Sequence, residues 1–457
     1  MTDPLRETLN SLSSRPVEEM ARIDLSAHIR RAERADCVTV VGQVREVVGL
    51  LVEVVGLDAA TGDQLEADLG HRRLALEVLG FRPGRVLAAP LGSTEGVRPG
   101  TPVRRLAQGA TIGVGDALLG RVIDAFGNAL DDKPKPMCDA VAALRRQPPS
   151  AFSRQPIEEP IDTGVRVIDA MLPIGRGQRL GLFAGTGVGK STLLGMLCRR
   201  AQADVVVVGL IGERGREVGH FVRHALGAEG LAKAVVVAAT SDTPPLVRAR
   251  GALTATAIAE HFRDQGKNVL LMMDSVTRYA MALREAMLAA GEPPVTKGYT
   301  PSVFAALPAL FERAGNGTGS GSITAVYTVL VEGDDLQDPI ADTVRGTLDG
   351  HIVLSRHIAE RGLYPAVDVL PSVTRLMNDI TTADHRQAAA VIRDLLGAHR
   401  EAADLLKIGA YVPGSDARVD AAVRLMPQIE ALVRQTVDEP GDRQSAIQGL
   451  TNIARAA

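Results

Sequence analysis

Residues 179–200 read RLGLFAGTGVGKSTLLGMLCRR. The first six residues are largely apolar, as a buried strand requires. A glycine-rich turn follows, and after Lys190 the leucines Leu193, Leu194 and Leu197 recur at helical spacing. Strand, glycine turn, Lys-Ser and helix together are the context of a phosphate-binding loop. Its glycines let backbone N–H groups turn inward around phosphate oxygens, and the helix N-terminus adds a favourable dipole. Gly185, Thr186, Gly187, Val188 and Gly189 form the cradle, with Thr192 beside Ser191. Lys190 has the reach for β- and γ-phosphates, and the Ser191 hydroxyl for Mg²⁺. The strict pattern has glycine where Ala184 stands; alanine is small enough to keep the turn.

The same texture continues downstream. DVVVVGLIG (204–212), AVVVAAT (234–240) and NVLLMMD (268–274) are apolar strands without alternation, each followed by a helical pattern. That order predicts a largely parallel sheet covered on both faces, an α/β core. Asp274 closes a buried strand in the manner of a Walker B acid, although many strands end in Asp. Glu213, just after 204–212, has two readings: a helix-start acid favoured by the dipole, or a base that orients water at the ligand-binding edge.

Upstream, CVTVVGQV (37–44), GLLVEVVGL (49–57), RLALEVLG (73–80) and RVLAAPLG (85–92) are short β-like runs between turn residues, so residues 25–105 predict a small β domain. Prolines in LDDKPKP (130–136) and RQPPSAFSRQPIEEP (146–160) forbid a continuous helix there. After Thr381 strands stop and helical periods run to Ala457. Residues 1–24 read as a short helix with Leu5, Leu9 and Leu12 on one face, either a frayed end or a docking helix.

Composition excludes several classes. The chain has 457 residues, 46 % hydrophobic and 23 % charged, which rules out wholesale disorder. A net charge of −3 and 3 % aromatics argue against a nucleic-acid grip. Cys37, Cys138 and Cys198 form no CxxC pair, so no disulfide framework or zinc site is supported. MTDPLRETLN lacks the basic and apolar regions of a secretory signal, and no apolar run spans a membrane, so a cytoplasmic location is expected.

Further along, GEPPVTKGYTPSVFAALPALFERAGN (291–316), VEGDDLQDPIAD (331–342) and LDGHIVLSR (348–356) join the phosphate loop, GLIGERGREV (209–218) and NVLLMMDSVTRYA (268–280). Together these segments closely resemble the ATPases of type III protein export, flagellar and injectisome, which are similar in turn to rotary ATP synthase catalytic subunits. The resemblance implies a RecA-like P-loop ATPase core (106–380), an N-terminal small β-barrel and a C-terminal helical domain (381–457).

It also implies ATP and Mg²⁺, with Asp274 holding the metal through water, Glu213 as catalytic glutamate and Arg214 near the γ-phosphate. Tyr364 matches a tyrosine that packs on adenine. Arg375, in YPAVDVLPSVTRLM (364–377), matches the arginine finger a neighbouring subunit inserts. A surface arginine is the plainer reading of Arg375 on sequence alone, but phosphoryl transfer needs positive charge on the γ-phosphate, which such a finger supplies. A chain holding both Glu213 and Arg375 can build equivalent sites in a homohexamer ring.

The implied partners are a stator-type regulator at 1–24, a coiled-coil stalk in the pore, export chaperones and substrates, and a membrane export gate. The acids Asp334, Asp335 and Asp338 are expected to meet the stalk. A rotary synthase subunit, an RNA-dependent hexameric helicase and an inactive scaffold are the competing readings, with no nucleic-acid partner expected. AGTGVGKS (184–191) and GAYVPGSD (409–416) look flagellar; VVVAATSD (235–242) and LVEGDDLQDP (330–339) look closer to the injectisome, toward which the balance leans slightly. His220 and His224 lie at i, i+4 with no third ligand near and are read as structural. Residues 314–322, AGNGTGSGS, read as a mobile loop, and Met272, Met273, Met281 and Met287 as packing residues.

Overall fold

Six short strands begin the described chain: β1 (Val41–Val48), β2 (Leu51–Val55), β3 (Gln64–Asp68), β4 (Arg73–Arg82), β5 (Arg85–Pro90) and β6 (Pro102–Arg105), with β2 and β5 buried along almost their whole length. This computed structural model describes residues 25, 40–107, 109–331 and 337–457. The expected helix at 1–24 and the acids Asp334 and Asp335 lie outside the described residues. The strands close into a barrel in the order β1-β2-β5-β4-β3-β6. Val44 N–H donates to the Thr101 carbonyl at 2.8 Å and the Val44 carbonyl accepts from Gly100 at 2.8 Å, sealing it. Inside lie Val52, Val54, Leu65, Leu74, Leu76 and Val86, all buried, at the period of two that a half-buried strand imposes. Pro83 and Gly84 make the β4–β5 turn, where Gly84 at φ 71° takes a conformation that side chains disfavour.

The central sheet is assembled from β8 (Arg121–Ile123), β10 (Arg179–Ala184), β11 (Val205–Ile211), β12 (Ala234–Ala239), β13 (Asn268–Asp274), β14 (Gly315–Asn316), β15 (Ser322–Leu330), β16 (Gly350–Leu354) and β17 (Val367–Thr374). The order is β17-β16-β10-β15-β13-β11-β12-β8 with β14 on β15; all neighbours are parallel except β16–β17 and β14–β15. β7 (Thr111–Val114) and β9 (Ala140–Ala143) form a separate pair. Residues 106–160 therefore carry three strands that the sequence did not announce, because runs of three or four residues between prolines hold no periodicity.

Each buried strand feeds two cores. On β11, Val206, Val208 and Leu210 enter the core shared with the C-terminal helices, while Val205, Val207 and Ile211 face the helices Pro245–Asp264, Val276–Ala290 and Pro301–Phe311. Met272 and Met273 split in the same way. The helices Ala383–Glu401, Ala417–Val433 and Arg443–Arg455 start at Thr382, Asp416 and Asp442, whose side chains accept the first free N–H groups. Their Ile392, Leu395, Leu425, Ile429 and Leu450 pack into one continuous core with the sheet. The 314–322 segment, expected as a mobile loop, is the turn of a hairpin: β14 pairs with β15 and the Asn316 amide donates to the Gln155 and Pro156 carbonyls. Among the described residues no helix is long and apolar enough to cross a membrane.

Candidate active site at the carboxyl edge of the sheet

Strand β10 ends at Ala184, whose buried side chain sits in register with Leu330 and Leu354 of its neighbours. Extended backbone there explains why alanine serves in place of glycine. The turn needs glycine further on, at Gly187 (φ 79°) and Gly189 (φ 90°), before Lys190 opens the helix Lys190–Arg200. Ser191 and Thr192 are exposed in its first turn.

β11 and β13 are adjacent and parallel with Leu210 opposite Asp274, so Asp274, which ends β13, and Glu213, just beyond β11, emerge side by side. Lys190 Nζ lies 2.5 Å from Asp274 Oδ1 and 3.7 Å from Glu213 Oε1. Thr328 on β15 donates to Asp274 Oδ1 at 2.7 Å. The backbone around Glu213 is pinned to the end of β12: Gly212 N–H reaches the Ala239 carbonyl at 2.7 Å, and the Glu213 carbonyl accepts from Ser241 at 3.0 Å. Burial, then the negative charge of Asp274, push the Glu213 carboxyl up to about 7 against the pull of Lys190. Glu217, hydrogen-bonded to Glu213, lies below the ordinary carboxylate range. Glu213 Oε1 is buried without a hydrogen-bond partner.

Tyr364 covers the loop from the other side. A Cβ at Gly189 would lie 3.5 Å from the Tyr364 ring. Beyond it opens a cavity of about 540 Å³, lined by Gly187, Leu193, Met196, Tyr364, Thr436 and Val437 among others, mostly apolar and within the size range of small-molecule sites. Its far wall, 434–437, is held by the buried Gln435, whose amide donates to the Gly164 and Glu439 carbonyls and accepts from Arg166 N–H. Sequence reasoning missed this wall and Thr328; both come from distant segments with no motif of their own.

Two expected residues stand apart. Arg214 is exposed and pairs with Glu217 at 3.5 Å. Arg375 follows β17, which runs antiparallel to β16 with Thr374 opposite Gly350. It therefore emerges at the amino edge of the parallel strands, its N–H on the Asp349 carbonyl at 3.0 Å. The length of β10 separates it from its own phosphate loop, roughly 17 Å or more at 3.3 Å per residue. One arginine side chain cannot span that.

Of the remaining candidates, Asp338 caps the helix Pro339–Thr347 and pairs with Lys297 at 3.2 Å. The His220 and His224 rings, 4.9 Å apart, line a cavity of about 390 Å³ beside Ser191. Among the described residues no group of three or more His, Cys, Asp or Glu is arranged to hold a metal.

Residues 164–374 match the ATP synthase alpha/beta family, nucleotide-binding domain; 44–107 match its beta-barrel domain, and 381–452 the T3SS EscN ATPase C-terminal domain. The flagellum-specific ATP synthase of Salmonella typhimurium is 51 % identical over 424 residues, 90 % of this chain and 93 % of that one. The type 3 secretion system ATPase of Xanthomonas euvesicatoria is 48 % identical over 414 residues, again 90 % and 93 %. The solved structure of the assembled ATPase EscN from the enteropathogenic E. coli type III secretion system superposes with a TM-score of 0.86 at 43 % identity, covering 90 % of this chain and all of that one. The same ATPase in complex with its central stalk EscO gives 0.83 at 42 % identity, with the same coverage. With a phosphate loop, two facing carboxylates and a match along nine-tenths of its length, the chain belongs to the type III export ATPases, the family of flagellum-specific ATP synthases and type 3 secretion system ATPases.

Proposed function

We propose that this ATPase hydrolyses Mg²⁺–ATP at the interfaces of a homohexameric ring, energising type III protein export at the cytoplasmic face of the inner membrane. The observation that carries the reading is the separation of Arg375 from Lys190, Glu213 and Asp274 on opposite edges of one sheet. A site that needs all four groups is complete only when one copy's amino edge meets another's carboxyl edge, a head-to-tail contact that closes rings.

Adenine stacks on Tyr364 in the apolar cavity while the phosphates lie across the loop from Gly185 to Thr192. Binding draws Lys190 from Asp274 onto the phosphates. The residues fit a magnesium ion: the Ser191 hydroxyl and the Asp274 carboxylate, the latter through water, are the hard oxygen donors it prefers. When bound, the ion neutralises phosphate charge. Glu213, with a buried oxygen that has no hydrogen-bond partner, orients water and takes its proton. Arg214 turns inward to the γ-phosphate region, and the neighbour's Arg375 stabilises charge in the transition state. Closure of each interface then drives chaperone release and loads export substrates into a membrane gate. A coiled-coil stalk in the pore and a regulator on residues 1–24 complete the assembly; the relative solved with its central stalk supports the former.

The test is specific ATPase activity against protein concentration. Activity per chain is expected to climb as rings form, and Glu213→Gln to lose on the order of 10²–10⁴-fold at every concentration. A flat profile with an active Glu213→Gln variant would overturn the reading.

A further inference from the structure

Residues 146–160 carry Phe152, an aromatic ring fully exposed to solvent. A single exposed apolar residue is ordinary, but this one is held out by a built turn. Ser153 N–H and its hydroxyl both bond the Ser150 carbonyl, at 3.0 and 2.9 Å. The half-buried Arg154 then locks the turn to the body of the protein, donating to the carbonyls of Pro149 (3.2 Å), Ala314 (2.7 Å) and Glu312. The ring is therefore presented by a fixed backbone and is not folded back on its own surface.

The turn stands at the same edge of the sheet as Arg375. Arg154 pairs with Glu312 at 3.3 Å, Glu312 with Arg179 at 2.6 Å, and Arg179 with Asp349 at 3.0 Å; the Asp349 carbonyl holds the Arg375 N–H. A second connection is apolar: a Cβ at Gly175 would meet Ile157 on one side and Leu376 on the other. Two independent chains of contacts thus join the segment after Phe152 to the segment that carries Arg375. By contrast Phe183 and Tyr327 on the sheet, and Phe262 and Phe311 on the helices packed against it, are fully buried.

From this edge we infer that Phe152 is an apolar anchor of the contact between copies of this chain, buried against the phosphate-loop edge of the next copy while Arg375 enters its site. The inference rests on the interface reading above. Rigid aromatic side chains are what small, water-excluding contacts use, since they bring large area at low entropic cost. Phe152 touches no nucleotide in this account and acts on assembly alone.

The experiment measures specific ATPase activity and particle mass across protein concentration, with nucleotide present, for wild type, Phe152→Ala, Phe152→Leu and Arg375→Ala. Phe152→Ala is expected to raise the concentration for half-maximal activity and for assembly roughly tenfold or more, with plateau activity and melting temperature unchanged. Phe152→Leu, which keeps apolar volume, restores most of that shift. A midpoint within about twofold of wild type for Phe152→Ala overturns the anchor. Arg375→Ala separates the two claims: loss of its plateau activity with assembly intact upholds the shared site whatever Phe152 does. A wild type that never assembles and is equally active at all concentrations overturns both.

Discussion

A buried carboxylate with one oxygen outside any hydrogen bond is an unstable thing to keep charged, and the described residues include two. Glu213 is the one the proposed mechanism uses. The other, Asp169, sits on the helix Arg166–Met171: its Oδ1 accepts from Thr163 N–H at 3.0 Å and the Thr163 hydroxyl at 2.7 Å, while Oδ2 is buried without a partner. Burial pushes its carboxyl up from 3.8 to about 6. An acid with a raised folded pKa binds its proton more tightly in the folded state. Its stabilising contribution is full below the unfolded value near 3.8 and is lost as pH rises through 6. Asp169→Asn does not titrate, so its stability relative to wild type should rise by about 1–2 kcal/mol between pH 5 and pH 8. Thermal denaturation of both proteins at the two pH values checks this. A constant difference would mean that Oδ2 finds solvent in the folded state.

At the scale of elements, the phosphate loop was legible because strand, turn and helix are contiguous, and each local choice agrees: buried β10, Gly187 and Gly189 where φ is positive, Lys190 at the first helical turn. Asp274 and Glu213 were legible as strand-end acids, but that they flank one ammonium depends on β11 and β13 being neighbours. Tyr364 was reached only through the family resemblance. The wall at 434–437 was not legible at all, since it reaches the loop from the linker between the last two helices, more than two hundred residues downstream. That wall depends on Gln435, which bridges Gly164, Arg166 and Glu439. Gln435→Ala leaves these buried groups unpaired, a cost of about 1–3 kcal/mol, and loosens the cavity beside Tyr364. Steady-state kinetics should show a several-fold higher KM for ATP with kcat little changed. An unchanged KM would detach the C-terminal wall from nucleotide binding.

For the molecule as a whole, the C-terminal helices share a continuous core with one face of the sheet, while the helices 245–264, 276–290 and 301–311 pack the other. Leu193, beside the phosphate loop, lies in the same core as Leu425 and Leu450 of the last helices. Sequence patterns gave the layers of this arrangement but not its polarity. That β17 returns antiparallel, carrying Arg375 to the amino edge, is set by strand pairing alone. Under the proposed mechanism that polarity makes each chain half of two sites. The most direct test mixes two variants, Glu213→Gln and Arg375→Ala, each expected to be nearly inactive by itself. At equal amounts about a quarter of randomly formed interfaces join an intact Glu213 to an intact Arg375, so ATPase activity should return to roughly that fraction of wild type. A mixture as inactive as its components, under conditions where mixed rings form, would contradict a site shared between copies.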